Sequence, residues 1–272
     1  MISYNIAGNI STYKNKVLSL GGGTNIPGKT HLGNQVNTMI EPGKPIGYFY
    51  GYKMDGVFQT QEEINNYRGG PDNTIIMPTA EPGDLKFVDL NGDGKLGEED
   101  RTMIGNPHPD FTFGLTLSGE YKGFDLSMFF QGSVGNDILN ILKYDIYSGT
   151  GWYNAPKDIF DKFWTGPGST NENFAISANS RDNLTMSEWY IENGSYVRLK
   201  NVTLGYTFPK QWVQKLTVQN LRLFVAAQNL FTITSYSGLD PELGNSNPAF
   251  MGIDMGWYPQ ARSFMVGLSL KL

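Results

Sequence analysis

The densest set of potential ligands in this sequence lies in residues 89–100, DLNGDGKLGEED. Oxygen-bearing side chains stand at the first, third and fifth positions, Asp89, Asn91 and Asp93, and Gly94 at the sixth allows a sharp turn. Lys95 can offer its backbone carbonyl at the seventh, and Leu96 follows as an apolar anchor. Hard cations such as Ca²⁺ collect about six to eight oxygens, and this is the spacing of a Ca²⁺-binding loop. The twelfth position holds Asp100 in place of the usual Glu, and the preceding GDLKFV reads as a strand rather than a helix. The expectation is a structural Ca²⁺ held by Asp89, Asn91, Asp93, Lys95 and Asp100. The competing reading is an Asx-turn loop whose carboxylates are simply solvated.

Catalytic chemistry finds few candidates. His31 and His108 lie far apart, neither with a ligand-like spacing to another His, and the absence of Cys removes thiolate sites, disulfides and cysteine nucleophiles together. Asp158 and Asp161 sit one helical turn apart, a spacing that more often marks a solvated helix face than an acid–base pair. Neither a Gly-rich phosphate loop nor a nucleophile elbow occurs, and Arg198 and Lys200 read as rim or lumen charges. No enzyme activity is expected. Aromatic clusters at Tyr48, Phe49, Tyr50 and Tyr52, at Trp152 and Tyr153, at Trp189 and Tyr190, and at Trp257 and Tyr258 suit stacking on sugars or peptides. They suit a membrane interface or the core of a loop better.

What must position these residues is a set of β-strands. Residues 262–272 (RSFMVGLSLKL) place Phe264, Val266, Leu268, Leu270 and Leu272 on one face and Ser263, Met265, Gly267, Ser269 and Lys271 on the other, because successive side chains of a strand point to opposite sides. Residues 110–120 repeat the pattern with Phe111, Phe113, Leu115 and Leu117, and residues 124–134 with Phe124, Leu126, Met128 and Phe130. Tyr121, Lys122 and Gly123 between them read as a tight hairpin turn. Alternating segments also occupy 2–17, 195–208 and 220–231, the last with Leu221, Leu223, Val225 and Ala227 on one side. About 9–11 residues suffice for a tilted strand to cross a bilayer.

The connections alternate in length. Those at 121–123 and 209–219 are short, and those at 18–109, 135–194 and 232–259 are long, which is the asymmetry of bacterial membrane barrels. Six crossings satisfy this parity if residues 47–58, also of β character, belong to an outer extension and not to a crossing. Short helices are expected at 61–67, 137–147 and 156–164, and plain loop at 18–45 and 68–83.

Composition supports an all-β protein rich in turns: 33 Gly, 15 Tyr and 16 Phe among 272 residues, with only 17% charged. A net charge of −5 gives no reason to expect a nucleic acid partner. No apolar run of about 18 residues offers a membrane helix. The mean hydropathy of −0.33 is compatible with a barrel, where only alternate residues face lipid. The start, Met1-Ile2-Ser3-Tyr4-Asn5, has neither the basic region nor the apolar core of a signal peptide, so the chain is expected to be the downstream part of a longer exported protein.

Four ordered stretches carry a resemblance: GKPIGYFYGYKMDGVF (43–58), the run from GDLKFVDLNGDGKLGEED through GFDLSMFFQGSVGNDI (83–138), NGSYVRLKNVTLGYTFP (193–209) and ARSFMVGLSLKL (261–272). Together they resemble the carboxy-terminal part of SusC/RagA-type TonB-linked outer-membrane transporters of Bacteroidetes, over nearly the whole chain. The resemblance implies that residues 1–272 are the carboxy-terminal part of a TonB-dependent receptor barrel of about 22 strands with a plugged lumen. It implies the cell outer membrane, a SusD-like surface lipoprotein as lid, and import of an oligosaccharide or peptide ligand with energy from the TonB system. The plug domain, the TonB-contacting segment and the signal peptide are absent from the sequence, and Leu272 stands where such barrels most often end in Phe.

The expected fold is therefore all-β, an arc of a large antiparallel transmembrane β-barrel of about six membrane strands in contact with the lipid bilayer. Long extracellular loops carry its short helices, and loops 135–194 and 232–259 are the expected contacts for ligand or lid. A second reading is a secreted, soluble, Ca²⁺-dependent carbohydrate-binding β-sandwich, which would bury the face of Phe111, Phe113, Leu115 and Leu117 against another sheet. A glycoside hydrolase fragment would need two carboxylates facing one cleft, and no such pair can be nominated.

Overall fold

The computed structural model describes residues 2–29, 35–147, 153–176, 182–213, 218–245 and 247–271. Six strands form one antiparallel sheet in chain order: β1 (Ile2–Ser11), β2 (Phe111–Tyr121), β3 (Phe124–Val134), β4 (Tyr196–Thr207), β5 (Asn220–Thr234) and β6 (Ser263–Lys271). Each strand pairs only with its neighbours in that order, so the outer edges of β1 and β6 have no partner among the described residues. Lys122 (φ 48°) and Gly123 (φ 90°) join β2 to β3 in the positive-φ turn that matches the twist of a hairpin. The helix Lys210–Val213 lies in the link from β4 to β5. The three long connections all leave from the opposite end of the sheet, as the parity of loop lengths requires.

Strand register turns the alternation in each strand into two continuous faces. Ile6 pairs with Leu117, Leu117 with Met128, Met128 with Val202, Val202 with Ala227 and Ala227 with Phe264, one apolar row through six strands. One residue along, Asn5, Ser118, Ser127, Thr203, Ala226 and Met265 form a row on the other face.

Register shifts in two adjacent strands: in β5, Phe231 pairs with Leu199 but Gln228 with Asn201, so Asn229 (φ 51°) and Leu230 stand against Lys200 without exchanging the faces of β5, whereas in β4 the faces do exchange. Phe129 pairs with Asn201 but Phe130 pairs with Leu199, so Lys200 is an extra residue in β4. A bulge of this kind re-aims every side chain beyond it. Without it Arg198 would share the apolar face with Val202 and Leu204; with it Leu199 and Val197 take that face and Arg198 turns to the polar one.

The hydrophobic core is not in this sheet but in the cap made by the long connections. Phe49, Phe58, Ile64, Leu85, Phe87, Leu139, Ile141, Phe174, Trp189 and Tyr190 pack into one buried cluster drawn from residues 49–104, 139–190 and 253. Residues 47–58 form strands Tyr48–Tyr52 and Met54–Val57 within the cap, not a crossing. Tyr48–Tyr52 pairs with Val36–Ile40 and Arg101–Gly105 in a four-stranded sheet completed by Ile26–Lys29. Two expectations are corrected here. The stretch 18–45 is not plain loop, since it supplies two of those strands. The stretch 137–147 is not one helix: Asp137–Asn140 is a strand paired with Ile191–Asn193 and Ile253–Asp254, and only Leu142–Tyr147 is helical. Backbone partners from two distant segments outweigh local helix preference there. The other short helices stand at Gln61–Asn66, capped by Thr60, and at Ile159–Lys162.

Among the described residues no second sheet covers the apolar face of the wall. Leu204, Val225, Leu268 and Val266 along it are 45%, 47%, 61% and 72% exposed, which excludes the sandwich.

Candidate functional site

The apolar face of the wall leaves Ile6, Leu126, Leu204, Leu223, Val225, Val266 and Leu268 exposed side by side, and a contiguous exposed apolar patch of this kind marks a surface that meets lipid or a partner. Wall strands of 9 to 15 residues have the length needed to cross a bilayer at a tilt. At the short-turn end the apolar face is bounded by aromatic rings: Phe124 lies 4.6 Å from Tyr206 and Tyr206 5.1 Å from Phe208, centroid to centroid, with Trp212 nearby in sequence and largely exposed. Tyr206 and Trp212, apolar in body and polar at the tip, fit the level of lipid headgroups, with the phenylalanines packed beside them.

The polar face carries the charges. Near the short turns Arg222 Nε donates to Asp125 Oδ2 at 2.9 Å and Nη2 donates to Oδ1, a two-pronged pair reaching across β4 at Gly205. Near the cap, Arg198 is almost wholly buried. Its Nε donates to Thr232 Oγ1 at 2.7 Å, Nη1 to Glu242 Oε2 at 2.6 Å and Nη2 to Asp240 Oδ1 at 2.5 Å. Asp240 also accepts from the amides of Glu242 and Gln260, so one arginine of the wall gathers both legs of the last long loop. Lys200 adds 2.7 Å and 2.8 Å bonds to Glu242. Arg198 is thus a lumen-face residue as expected, but not a solvated one.

The loop 89–100 closes on its own amides. Asp89 accepts from the amides of Gly92 and Gly94, Asn91 Oδ1 from that of Asp93, and Asp93 from that of Lys95. Asp100, fully buried, accepts from the amides of Leu90, Asn91 and Gly97. Gly94 has φ 85°, the sharp turn its position predicts, and the strand Leu85–Phe87 precedes the loop where a helix would stand in a helix-loop-helix site. Among the described residues no three His, Cys, Asp or Glu side chains converge as ion ligands. The five expected ligands share one loop whose carboxylates are engaged by its own backbone amides.

The other candidates fall into structural roles. His108 is buried, with Nδ1 3.2 Å from the Tyr13 hydroxyl and Nε2 2.9 Å from the Ile46 carbonyl; His31 and Trp152 lie outside the described residues. Asp158 takes the Tyr147 hydroxyl at 3.0 Å and Lys162 Nζ at 2.8 Å, so it is a joint between two short helices and not half of a catalytic dyad with Asp161. Burial, reinforced by this carboxylate, pushes the Tyr147 hydroxyl up to about 12. Tyr48, Phe49, Tyr52, Trp189 and Tyr190 are core residues of the cap, whereas Tyr153, Trp257 and Tyr258 are exposed.

Sequence reasoning missed the joint around Glu192. Its carboxylate takes Lys143 Nζ at 3.0 Å, Asn140 Nδ2 at 3.0 Å, Ser237 Oγ at 2.9 Å and the Ser237 amide at 2.8 Å. Burial alone would raise its pKa, but Lys143 and Ser237 outweigh burial and hold it below the ordinary carboxylate value. Its partners come from two segments, 140–143 and 237, both some 45–52 residues away in sequence, and no local spacing announces them.

No protein-family model matches the chain. Among curated relatives, the TonB-dependent receptor P3 of Formosa agariphila is 36% identical over 283 aligned residues, which span 99% of this chain and 27% of that protein. The TonB-dependent receptor SusC of Bacteroides thetaiotaomicron is 28% identical over 283 residues, spanning 99% of this chain and 24% of its own length. The chain thus spans about a quarter of the curated relatives it matches. Among solved structures, the RagAB peptide transporter superposes with a TM-score of 0.73 at 19% identity, covering 99% of this chain and 27% of that one. The RagAB peptide importer in its open-open state gives 0.71 at 20% identity, covering 100% and 27%.

Proposed function

We infer that this chain, homologous over nearly its whole length to a segment of the TonB-dependent receptors of the SusC type, is part of the wall and outer mouth of an outer-membrane nutrient importer. The observation that carries this reading is the two-faced six-stranded sheet. Its apolar face is exposed along β1 and β6 and at Leu126, Leu204, Leu223 and Val225 between them, and suits lipid; its polar face, with Arg198 and the Asp125–Arg222 pair, suits a hydrated lumen. Unpaired strand edges are costly in a bilayer, so the free edges of β1 and β6 call for further strands that close the barrel. In this reading residues 1–272 are the carboxy-terminal part of the receptor barrel, and the plug that engages TonB belongs to the rest of the protein. The cap faces outward, where a SusD-like surface lipoprotein closes over an oligosaccharide or peptide ligand. Catalysis plays no part in it.

Calcium at Asp89, Asn91, Asp93, Lys95 and Asp100 is a separate proposal, which rests on ligand spacing. The Asp89 and Asp93 carboxylates are engaged by amides and keep lone pairs for a cation, whereas Asp100 Oδ1 already accepts the amides of both Leu90 and Asn91. The ion's part would be to stiffen a cap loop.

Uptake tests the import reading. Cells carrying the full-length protein should accumulate a labelled oligomeric nutrient only while the proton-motive force is maintained, and a surface lipoprotein should co-purify with the receptor from detergent-solubilised outer membranes. A protein recovered from the aqueous fraction without detergent would overturn the reading.

A further inference from the structure

On the apolar face of the wall one row runs through Tyr4, Gly119, Leu126, Leu204, Val225 and Val266, each paired with the next from β1 to β6. Gly119 is the position in that row without a side chain. Tyr4 and Leu126 flank it across the strands, and Leu117 and Tyr121 flank it along β2, two residues either way and so on the same face. The result is a groove of about 480 Å³ over Gly119, continued along β1 by Ile2 and Ile6.

Neither backbone nor packing demands a glycine at this position. Its φ lies outside the positive region, and a Cβ would meet only the Ser3 carbonyl, at 3.4 Å, an ordinary contact. Gly132, on the same face of β3, differs: the Phe113 ring occupies the space its side chain would take. A glycine inside a strand weakens it and often marks a place where another molecule comes close.

The walls and the mouth of the groove select the occupant. Tyr4, Ile6, Tyr121 and Leu126 are all exposed, and an unfilled groove would forfeit their dispersion contacts. At the short-turn end stands Lys122, about 10 Å beyond Gly119 at the rise of a strand. Its Nζ lies 5.3 Å from the centre of the Tyr121 ring, one wall of the groove, and no carboxylate pairs with it among the described residues. The rings of Phe124 and Tyr206 mark the same end as headgroup level. An apolar groove that ends at an unneutralised cation complements a molecule with a hydrocarbon chain and an anionic head.

We propose that the groove over Gly119 holds an acyl chain of a membrane glycerophospholipid whose phosphate pairs with Lys122. This rests on the reading that the apolar face of the wall meets lipid.

The test is native mass spectrometry of the full-length receptor in detergent, titrated separately with phosphatidylethanolamine, with diacylglycerol of the same chains and with lipopolysaccharide. Two variants accompany it: Gly119→Leu, which fills the groove, and Lys122→Gln, in the turn outside both strands. The expected result is one phosphatidylethanolamine bound per receptor, weakened about tenfold or more by Gly119→Leu. Lys122→Gln should lower its affinity to that of diacylglycerol and leave diacylglycerol binding unchanged. Binding of phosphatidylethanolamine undiminished in either folded variant overturns the proposal, as does preference for lipopolysaccharide or no saturable binding. If Gly119→Leu does not fold, as judged by its heat-dependent shift on gels, the Lys122→Gln comparison decides alone. A receptor recovered in the membrane fraction without such binding leaves the lipid-facing wall standing while the groove assignment falls; recovery in the aqueous fraction removes both.

Discussion

Arg198 Nη2 donates to Asp240 Oδ1 at 2.5 Å, tying the fourth wall strand to the last long loop across forty-two positions of sequence. Both side chains are nearly inaccessible, at 4% and 7% exposure. Removing one partner of such a pair strands a buried charge, which costs about 3–5 kcal/mol. The Asp125–Arg222 pair has the same chemistry, but its side chains are 28–29% exposed, and breaking a pair of that kind costs about 0.2–1 kcal/mol. Arg198→Met should therefore lower the thermal midpoint in detergent markedly and speed amide exchange through residues 238–262. Arg222→Met should do neither to a comparable degree. Equal effects would mean that burial does not set the difference.

Gly132 is predicted to be intolerant of even a methyl group. A Cβ there would approach Phe113 Cε1 at 2.2 Å and the Tyr196 carbonyl at 2.9 Å, and the second contact is backbone that cannot swing away. Gly132→Ala should lower stability by about 1–3 kcal/mol, as overpacking does. Gly168→Ala is an unsuitable control because φ there is 82°; Gly8→Ala in β1, where a Cβ would meet nothing nearer than 3.6 Å, is the better one. Denaturation of the folded barrel, followed by its heat-dependent shift on gels, reads both.

Acid should loosen the joint around Glu192. Burial acts to raise this carboxyl, but Lys143 and Ser237 win, so its folded pKa lies below the unfolded one. A depressed folded pKa contributes stability that is fully present above the unfolded value and is lost as pH falls through the folded one. Amide exchange in 138–147 and 191–193 should therefore accelerate as pH falls below the ordinary carboxylate range, after correction for intrinsic exchange rates. Glu192→Gln should accelerate exchange at neutral pH and flatten the pH dependence. An unchanged profile in the variant would remove Glu192 from the joint.

Terbium luminescence tests calcium in the loop 89–100. If the loop binds the ion, Tb³⁺ should be sensitised by nearby tyrosine, displaced by Ca²⁺ but not by Mg²⁺, and lost in Asp93→Asn. Asp93 is chosen because it is exposed, whereas Asp100 holds three backbone amides and would unfold the loop for other reasons. Luminescence equal in wild type and variant would reduce the loop to its Asx turns.

The wall was legible because its two faces meet different solvents and so impose a period of two on the sequence. Residues 124–134 were bounded as the structure bounds them for that reason. The irregularity in β4 shows as a conflict of phase: Val197 and Leu199 are odd-numbered, Val202 and Leu204 even, and both sets are apolar. The extra residue Lys200 resolves it. The cap was less legible because its elements are held by distant partners. Asp137–Asn140 is a strand only because Ile191–Asn193 and Ile253–Asp254 flank it, and Arg198 is buried only because the last loop folds back on it. Residues 89–100 were legible as a turn-rich loop of carboxylates, since Asx turns are local; whether its oxygens converge depends on the amides they meet.

The central claim is that one face of the sheet meets lipid and the other water. The direct measurement is site-directed spin labelling of the full-length receptor in outer-membrane vesicles, at successive single cysteines along residues 196–207 and 263–271, comparing collision with oxygen, which partitions into lipid, and with a water-soluble nickel chelate. The account predicts a period of two in β6, with Phe264, Val266, Leu268 and Leu270 favouring oxygen. In β4 it predicts the same period broken at Lys200, with Val197, Leu199, Val202 and Leu204 all on the lipid side. Uniform access of the nickel reagent to both faces, or an unbroken period through β4, would contradict it.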